Sequence, residues 1–151
     1  MAAIAYADTF LKNSISNGII DFELAGSFSR SQQILQSWNP LAKIFAGFSL
    51  GIDYLFLILY TLFFIVTAYK ITENVSELWK KFLFTVSIVF FLAGLFDAFE
   101  NYFLLQILTG SKQTSLPVYA AYFSRAKFFL LFLGLMYLFT AWIYRLVVKK
   151  S

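Results

Sequence analysis

Gly94-Leu95-Phe96-Asp97-Ala98-Phe99-Glu100-Asn101 is the stretch on which the reading of this chain turns. It places two carboxyls and a carboxamide inside a long apolar run. On a helix Asp97, Glu100 and Asn101 stand at i, i+3 and i+4 and share one side. Gly94 and Ala98 flank Asp97 on that side and leave room for a neighbouring helix to come close. Ionisable groups within an apolar span are costly. They are tolerated facing a bundle interior, a partner charge or a watery cavity, and they mark a functional site by default.

Composition says what surrounds this stretch. Of 151 residues, 60% are apolar, 21% aromatic and 13% charged. Soluble domains are about a quarter charged, and a soluble domain of this length has too little interior to hide so much apolar surface. A bilayer is the remaining cover, so the chain is expected to be an integral membrane protein. Without cysteine there is no disulfide, thiol chemistry or thiolate metal site. Without histidine there is no Ser-His-Asp triad, zinc-protease motif, His-ligated haem or Glu-x-x-His metal site. No metal or cofactor is expected, and acid–base chemistry falls to Asp, Glu, Lys or Tyr. The net charge of +4 forms no aromatic-interleaved basic patch. Lys and Arg beside apolar spans set topology and meet anionic headgroups, so the bilayer is the expected partner and nucleic acid is not.

Outward from the quoted stretch, the pattern predicts an all-α polytopic membrane bundle in a single domain. Transmembrane helices are expected over 41–69, 75–109 and 117–148, with Pro117 opening the third and Gly110 stopping the second. Residues 1–25 carry Asp8, Lys12, Asp21 and Glu23, too many charges for a lipid-facing span. Ile4, Leu11, Ile15, Ile19 and Phe22 nevertheless recur near helical spacing. This segment either lies along the membrane surface or packs as a more polar fourth helix, and the second is expected because a polar face in a bilayer needs a partner to cover it. Ser29 and Gln32 read as a capping box for a short interfacial helix over 29–38, with Trp38 at the headgroup level. Gly47 and Gly51 form a G-x-x-x-G pair, which predicts close helix packing. Asn74 and Glu77 read as a further cap. Asn74-Val75-Ser76 matches a glycosylation acceptor, but on the predicted cytoplasmic side it reads only as that cap. Lys70, Lys80, Lys81, Arg145, Lys149 and Lys150 fall on one side, against Arg30, Lys43 and Lys112 on the other. The positive-inside rule therefore places the 70–81 loop and the C-terminus in the cytoplasm.

Helix rise allows the depths of the polar residues to be compared. Asp53 lies about 18 Å from the outer start of its helix, Asp97 about 18 Å from the outer end of the next, and Lys127 about 15 Å into the third. Acids and bases from three helices thus converge on one level in the outer half of the membrane. Lys127 is the partner expected for Asp97. Arg125 is expected to point elsewhere, toward the headgroups. Tyr60, seven residues beyond Asp53 on the same face, is placed to donate a hydroxyl. A fully ionised cluster would leave an anion unpaired, so one carboxyl is expected to hold a proton near neutral pH. The ligand-binding candidates are Asp53, Tyr60, Asp97, Glu100, Asn101 and Lys127, and Asp53, Asp97 and Glu100 are the candidates for acid–base catalysis. Against this stands the plainer reading that these groups satisfy one another and hold three helices in register.

Several of these motifs carry a resemblance. Gly18-Ile19-Ile20-Asp21-Phe22-Glu23-Leu24-Ala25, Ile34-Leu35-Gln36-Ser37-Trp38, Phe48-Ser49-Leu50-Gly51-Ile52-Asp53-Tyr54-Leu55-Phe56 with Tyr60, Asp97-Ala98-Phe99-Glu100-Asn101 and a later Lys127 follow in that order. The chain resembles, over nearly its whole length, an uncharacterised family of small bacterial four-helix membrane proteins. The resemblance implies a fourth packed helix and the bacterial inner membrane as the location.

Three functions are compatible with this pattern. A binding or accessory subunit would hold a lipid or small molecule in the polar site, or dock on a membrane-protein partner or a second copy. A membrane enzyme would use Asp97 or Glu100 as general acid and Asp53 as base on a lipid-soluble substrate. A proton-coupled carrier would need two copies or internal repeats, and no repeat is visible. A Lys127 Schiff base with Asp counter-ions would need more helices to enclose a chromophore.

Overall fold

The computed structural model of the protein describes residues 18–73 and 77–148. Among them are five helices: α1 (Ile19–Glu23), α2 (Phe28–Ser37), α3 (Pro40–Thr72), α4 (Glu77–Leu108) and α5 (Leu116–Val148). No strand occurs among the described residues. The chain is an all-α membrane bundle. Three helices are long and apolar enough to cross a bilayer: Pro40–Thr72, Trp79–Leu108 and Leu116–Val147. Their outward faces are apolar as well: Ile44, Phe48, Phe63, Phe84 and Phe129 are each more than 60% exposed. Such faces are unfavourable in water and suited to acyl chains.

Local chemistry sets where each helix begins and ends. The Asp21 carboxylate accepts from the Gly18 N–H at 3.0 Å and starts α1. Gly26 then takes the left-handed backbone, φ 65°, that separates α1 from α2. The cap of α2 is Ser27, whose hydroxyl accepts from the Arg30 N–H at 3.3 Å. The expected cap at Ser29 is therefore displaced, because Ser29 already lies in the first turn. Asn39 caps α3 through Ala42 N–H at 2.8 Å, and Pro40 takes the first helical position, where its missing N–H costs nothing. The end of α4 is a Schellman motif: Ser111 N–H reaches the Gln106 carbonyl and Gly110 N–H the Ile107 carbonyl, with Gly110 at φ 92°.

The helix α4 is the centre of the bundle. It packs along both α3 and α5, which touch each other over a shorter stretch. One apolar cluster fills the end where the short helices sit: Phe22, Ile34, Trp38, Ala46, Leu50 and Leu104 are among its members. A second lies toward the other end around Ala68, Val86, Phe90 and Leu138. There the Phe64 and Phe90 rings stack at 4.9 Å. Beyond them Tyr137 donates to the Trp79 carbonyl at 2.8 Å, and Arg145 donates to the Lys70 carbonyl at 3.1 Å.

Several sequence expectations change on contact with the structure. Of the N-terminal segment, Ile19–Glu23 is helical and packs with α2 against α5, while residues 1–17 lie outside the described residues. The expected cap at Asn74, the 74–76 acceptor pattern and the terminal lysines also lie outside them. Trp38 does not face headgroups: it is 3% exposed, with its ring 5.2 Å from that of Phe22. Among the described residues the paired glycines of α3 form no close-packing seam either. A Cβ on Gly51 would meet none of their atoms within 4 Å, and one on Gly47 would make only an ordinary contact with Leu108. The tight approaches lie at Gly94, against the Thr61 side chain, and at Gly134, where a Cβ would come within 2.5 Å of the Phe90 ring. A small-residue spacing states that a helix can be approached, not from which side.

Candidate functional site

Between the two apolar clusters the three long helices meet through polar side chains. On α4, Asp97 is 3% exposed, Glu100 0% and Asn101 1%, and on α5 Lys127 is 8% exposed. The helical spacing anticipated from the sequence thus puts all three α4 residues on its inward side.

Asp97 engages both flanking helices. Its Oδ1 lies 2.6 Å from Lys127 Nζ on α5, and its Oδ2 accepts from the Tyr60 hydroxyl on α3 at 2.9 Å. Lys127 Nζ lies equally close, 2.6 Å, to Glu100 Oε2. One turn nearer the end of α4, Asn101 Nδ2 donates to Asp53 Oδ2 at 2.7 Å. Tyr54 donates to the Ala98 carbonyl at 3.1 Å, adding a further link between α3 and α4. Charge-assisted bonds of this kind are strong where water is excluded.

All six candidates read from the sequence therefore lie in one connected region, with a change in pairing. Depth along the helices set Asp53 opposite Asp97. In the structure Asp53 lies opposite Asn101, and Tyr60 lies opposite Asp97. One helical turn separates the two arrangements, within the offset that a crossing angle between α3 and α4 introduces. Arg125 is exposed.

Two features escaped the sequence reading. Both carboxylate oxygens of Glu100 are buried, and among the described residues they are answered by Lys127, 2.6 Å from Oε2, and by the Ser124 hydroxyl one turn before it on α5. Neither donor meets the carboxylate in good hydrogen-bond geometry, which is unusual for a buried group. The other feature is Glu23 at the end of α1. It lies within electrostatic reach of Glu100, Lys127, Asp53 and Asp97. Burial, and next the negative charge of Glu100, push its carboxyl up to about 8, with Lys127 pulling the other way. Phe22, packed on Trp38, fixes α1 in this position. From sequence Glu23 reads as one more charge in a polar N-terminal segment; only the turn at Gly26 brings it back onto α5.

Among the described residues the carboxyls of Asp97 and Glu100 touch the Lys127 ammonium, and those of Glu23 and Asp53 lie within its electrostatic reach. Among the described residues no group of acidic side chains has the arrangement of a metal site. Beside the cluster an apolar groove of about 280 Å³ runs between α3 and α4, lined in part by Ile58, Thr61, Phe91, Gly94 and Ala98. The Thr61 hydroxyl lies buried along it. No protein-family model matches the chain, and neither a curated protein nor a solved structure is significantly similar to it.

Proposed function

We propose that this protein is a binding or accessory subunit of the membrane that holds a lipid or another small lipid-soluble molecule at its buried carboxylate cluster. The observation that carries this reading is the Glu100 carboxylate, 0% exposed, which shares the Lys127 ammonium with Asp97 and meets no donor in good geometry among the described residues. Interactions that served only to hold helices together would satisfy such an acceptor more fully. A buried acceptor costs roughly 1–3 kcal/mol when unsatisfied, and a ligand donor would recover that cost. The groove between α3 and α4 supports the reading from the apolar side, since it offers a lipid-facing channel for a chain next to the polar groups.

Lys and Arg placement gives the orientation that goes with this function. Lys70, Lys80, Lys81 and Arg145 gather at one end of the bundle and point to the cytoplasm by the positive-inside rule. The cluster then lies toward the outer half, since Asp97 stands about 17 Å from the end of α4 at Leu108 and about 30 Å from Glu77. A bacterial inner membrane fits this placement.

The test is to extract the protein with its surrounding lipid into polymer discs and weigh it by native mass spectrometry. A non-protein mass retained by the wild type and lost from Glu100→Gln, with the variant still folded, is the expected result. A wild-type protein that carries no bound molecule and is indifferent to Glu100→Gln would overturn the proposal in favour of a purely structural cluster.

A further inference from the structure

We infer that the cleft between α2, the start of α3 and the end of α4 is a second binding site, which takes the phosphate headgroup of an anionic phospholipid. Phe28, Gln32, Leu35 and Gln36 stand at i, i+4, i+7 and i+8 of α2, so one face carries two apolar and two carboxamide side chains. That face borders a cavity of about 260 Å³, lined as well by Lys43 of α3, Ile107 and Leu108 of α4, and the loop from Gly110 to Lys112. The floor is held by the bundle itself: Leu35 is 7% and Ile107 1% exposed, and both belong to the apolar cluster that contains Phe22 and Leu104. The rim is polar. Lys43 and Lys112 each bring an ammonium, Gln32 and Gln36 bring carboxamide N–H groups, and Ser111 brings a hydroxyl. Among the described residues no carboxylate lines the cleft and neither lysine is ion-paired.

Charge, height and shape together choose the occupant. Topology gives a reason for cations at one end of a membrane bundle, and Lys70, Lys80, Lys81 and Arg145 lie at the far end from this cleft. Lys43 and Lys112 need a different reason. Two ammoniums around one cavity repel each other, and an anion between them turns that repulsion into attraction. A headgroup that carries its own ammonium would return part of the repulsion. Lys43 stands in the first turn of α3 and Lys112 just past the end of α4. The cleft is therefore level with the headgroups of a bilayer crossed by Pro40–Thr72 and Trp79–Leu108. A phosphodiester there accepts N–H donors from both lysines, and the glycerol esters behind it meet Phe28 and Leu108. The acyl chains continue over Ile44 and Phe48 of α3, which are 67% and 63% exposed. Free phosphate would use the rim and leave the apolar floor unmatched. The cleft shares no lining residue with the carboxylate cluster, so it stands whether or not that cluster holds a ligand.

The experiment titrates the full chain in detergent with dioleoyl phosphatidylglycerol, with dioleoyl phosphatidylcholine as the net-neutral control, and counts bound lipid by native mass spectrometry. Phosphatidylglycerol should bind about tenfold tighter than phosphatidylcholine. Lys43→Gln and Lys112→Gln should each weaken it about fivefold, and the double variant roughly 25-fold, the effect of one and two cations near an anionic lipid. Lys81→Gln, at the far end, should change nothing. All three lysines are exposed, so these variants should keep the fold, which circular dichroism checks. Equal binding of the two lipids, or a double variant that keeps its phosphatidylglycerol, would overturn the proposal. So would a loss in Lys81→Gln as large as that in Lys43→Gln, the sign of general surface attraction. Thermal unfolding separates lipid from free phosphate: phosphatidylglycerol should raise the midpoint, and inorganic phosphate should do no more than sodium chloride of equal ionic strength. Stabilisation by inorganic phosphate that disappears in the double variant would overturn the lipid as occupant.

Discussion

The stack around Phe90 and the carboxylate belt a short way along α4 connect the same three helices by opposite means. In the stack, Phe90 fits a hollow left by Gly134 on α5 and lies flat on Phe64 of α3. The contact there is between aromatic rings and a bare backbone. In the belt, α3 and α5 are reached through Tyr60, Asp53 and Lys127, and Glu100 has to share Lys127 with Asp97. The stack shows that this chain can join its helices with close packing alone. Buried ion pairs are seldom more stabilising than well-packed apolar residues of similar volume. The belt's charges therefore call for a reason other than cohesion.

That contrast can be broken or sharpened by substitution. The largest effect is expected from Lys127→Met, which strands Asp97 and Glu100 inside the bundle and should cost about 3–5 kcal/mol, as measured by unfolding in detergent. Replacing both acids as well, with Asp97→Asn and Glu100→Gln added to Lys127→Met, should return most of that stability while binding stays lost. If the triple variant stays as unstable as the single one, the belt is structural after all. Next comes the stack: Gly134→Val drives a side chain into the Phe90 ring and should cost about 1–3 kcal/mol without changing ligand retention. A change in bound ligand there would erase the division between the two regions.

A smaller effect is expected from pH. Because Glu23 is raised from 4.5 to about 8, the folded state binds its proton more tightly than the unfolded chain does. Its contribution to stability is thus complete at acid pH, declines as pH rises through this window and levels off above it. Melting temperature followed across that range should show the decline, and Glu23→Gln should flatten it. The least effect belongs to Gly51→Ala, where open space receives the new methyl group. Stability there should stay the same or rise by up to about 1 kcal/mol through helix propensity. A marked loss would mean that this face of α3 is covered by something outside the bundle.

What could be read from the sequence follows the energetic cost of each choice. Asp97, Glu100, Asn101, Asp53 and Lys127 stood out because charges and amides deep in an apolar helix are expensive, so their presence alone is informative. Tyr60 followed from its spacing to Asp53. Glu23 could not be read in this way: a carboxylate in a polar segment costs nothing until a turn at Gly26 folds it against α5. The glycines divide similarly. Gly94 was singled out beside Asp97 and does receive Thr61, but Gly47 and Gly51, with the stronger motif, face no close neighbour among the described residues. Spacing records a possibility of contact, while the direction of contact depends on how α3 is rotated in the bundle. The one-turn shift in the partner of Asp53 has the same origin.

The bridge from α4 to Lys127 also bears on how the chain is made. Asp97 and Glu100 leave the ribosome before the cation that neutralises them, and each charged residue at a helix centre penalises insertion by about 2.5–3.5 kcal/mol. The tight reversal at Gly110 joins α4 directly to α5, so the two can partition into the bilayer as one hairpin, with the charges cancelling as they enter. A nascent chain ended at residue 115 should therefore hold α4 less deeply than the full chain does, a difference that glycosylation-distance mapping can read. On this account the loop between Gly110 and Leu116 is where the cost of the buried acids is settled, before any ligand has been met.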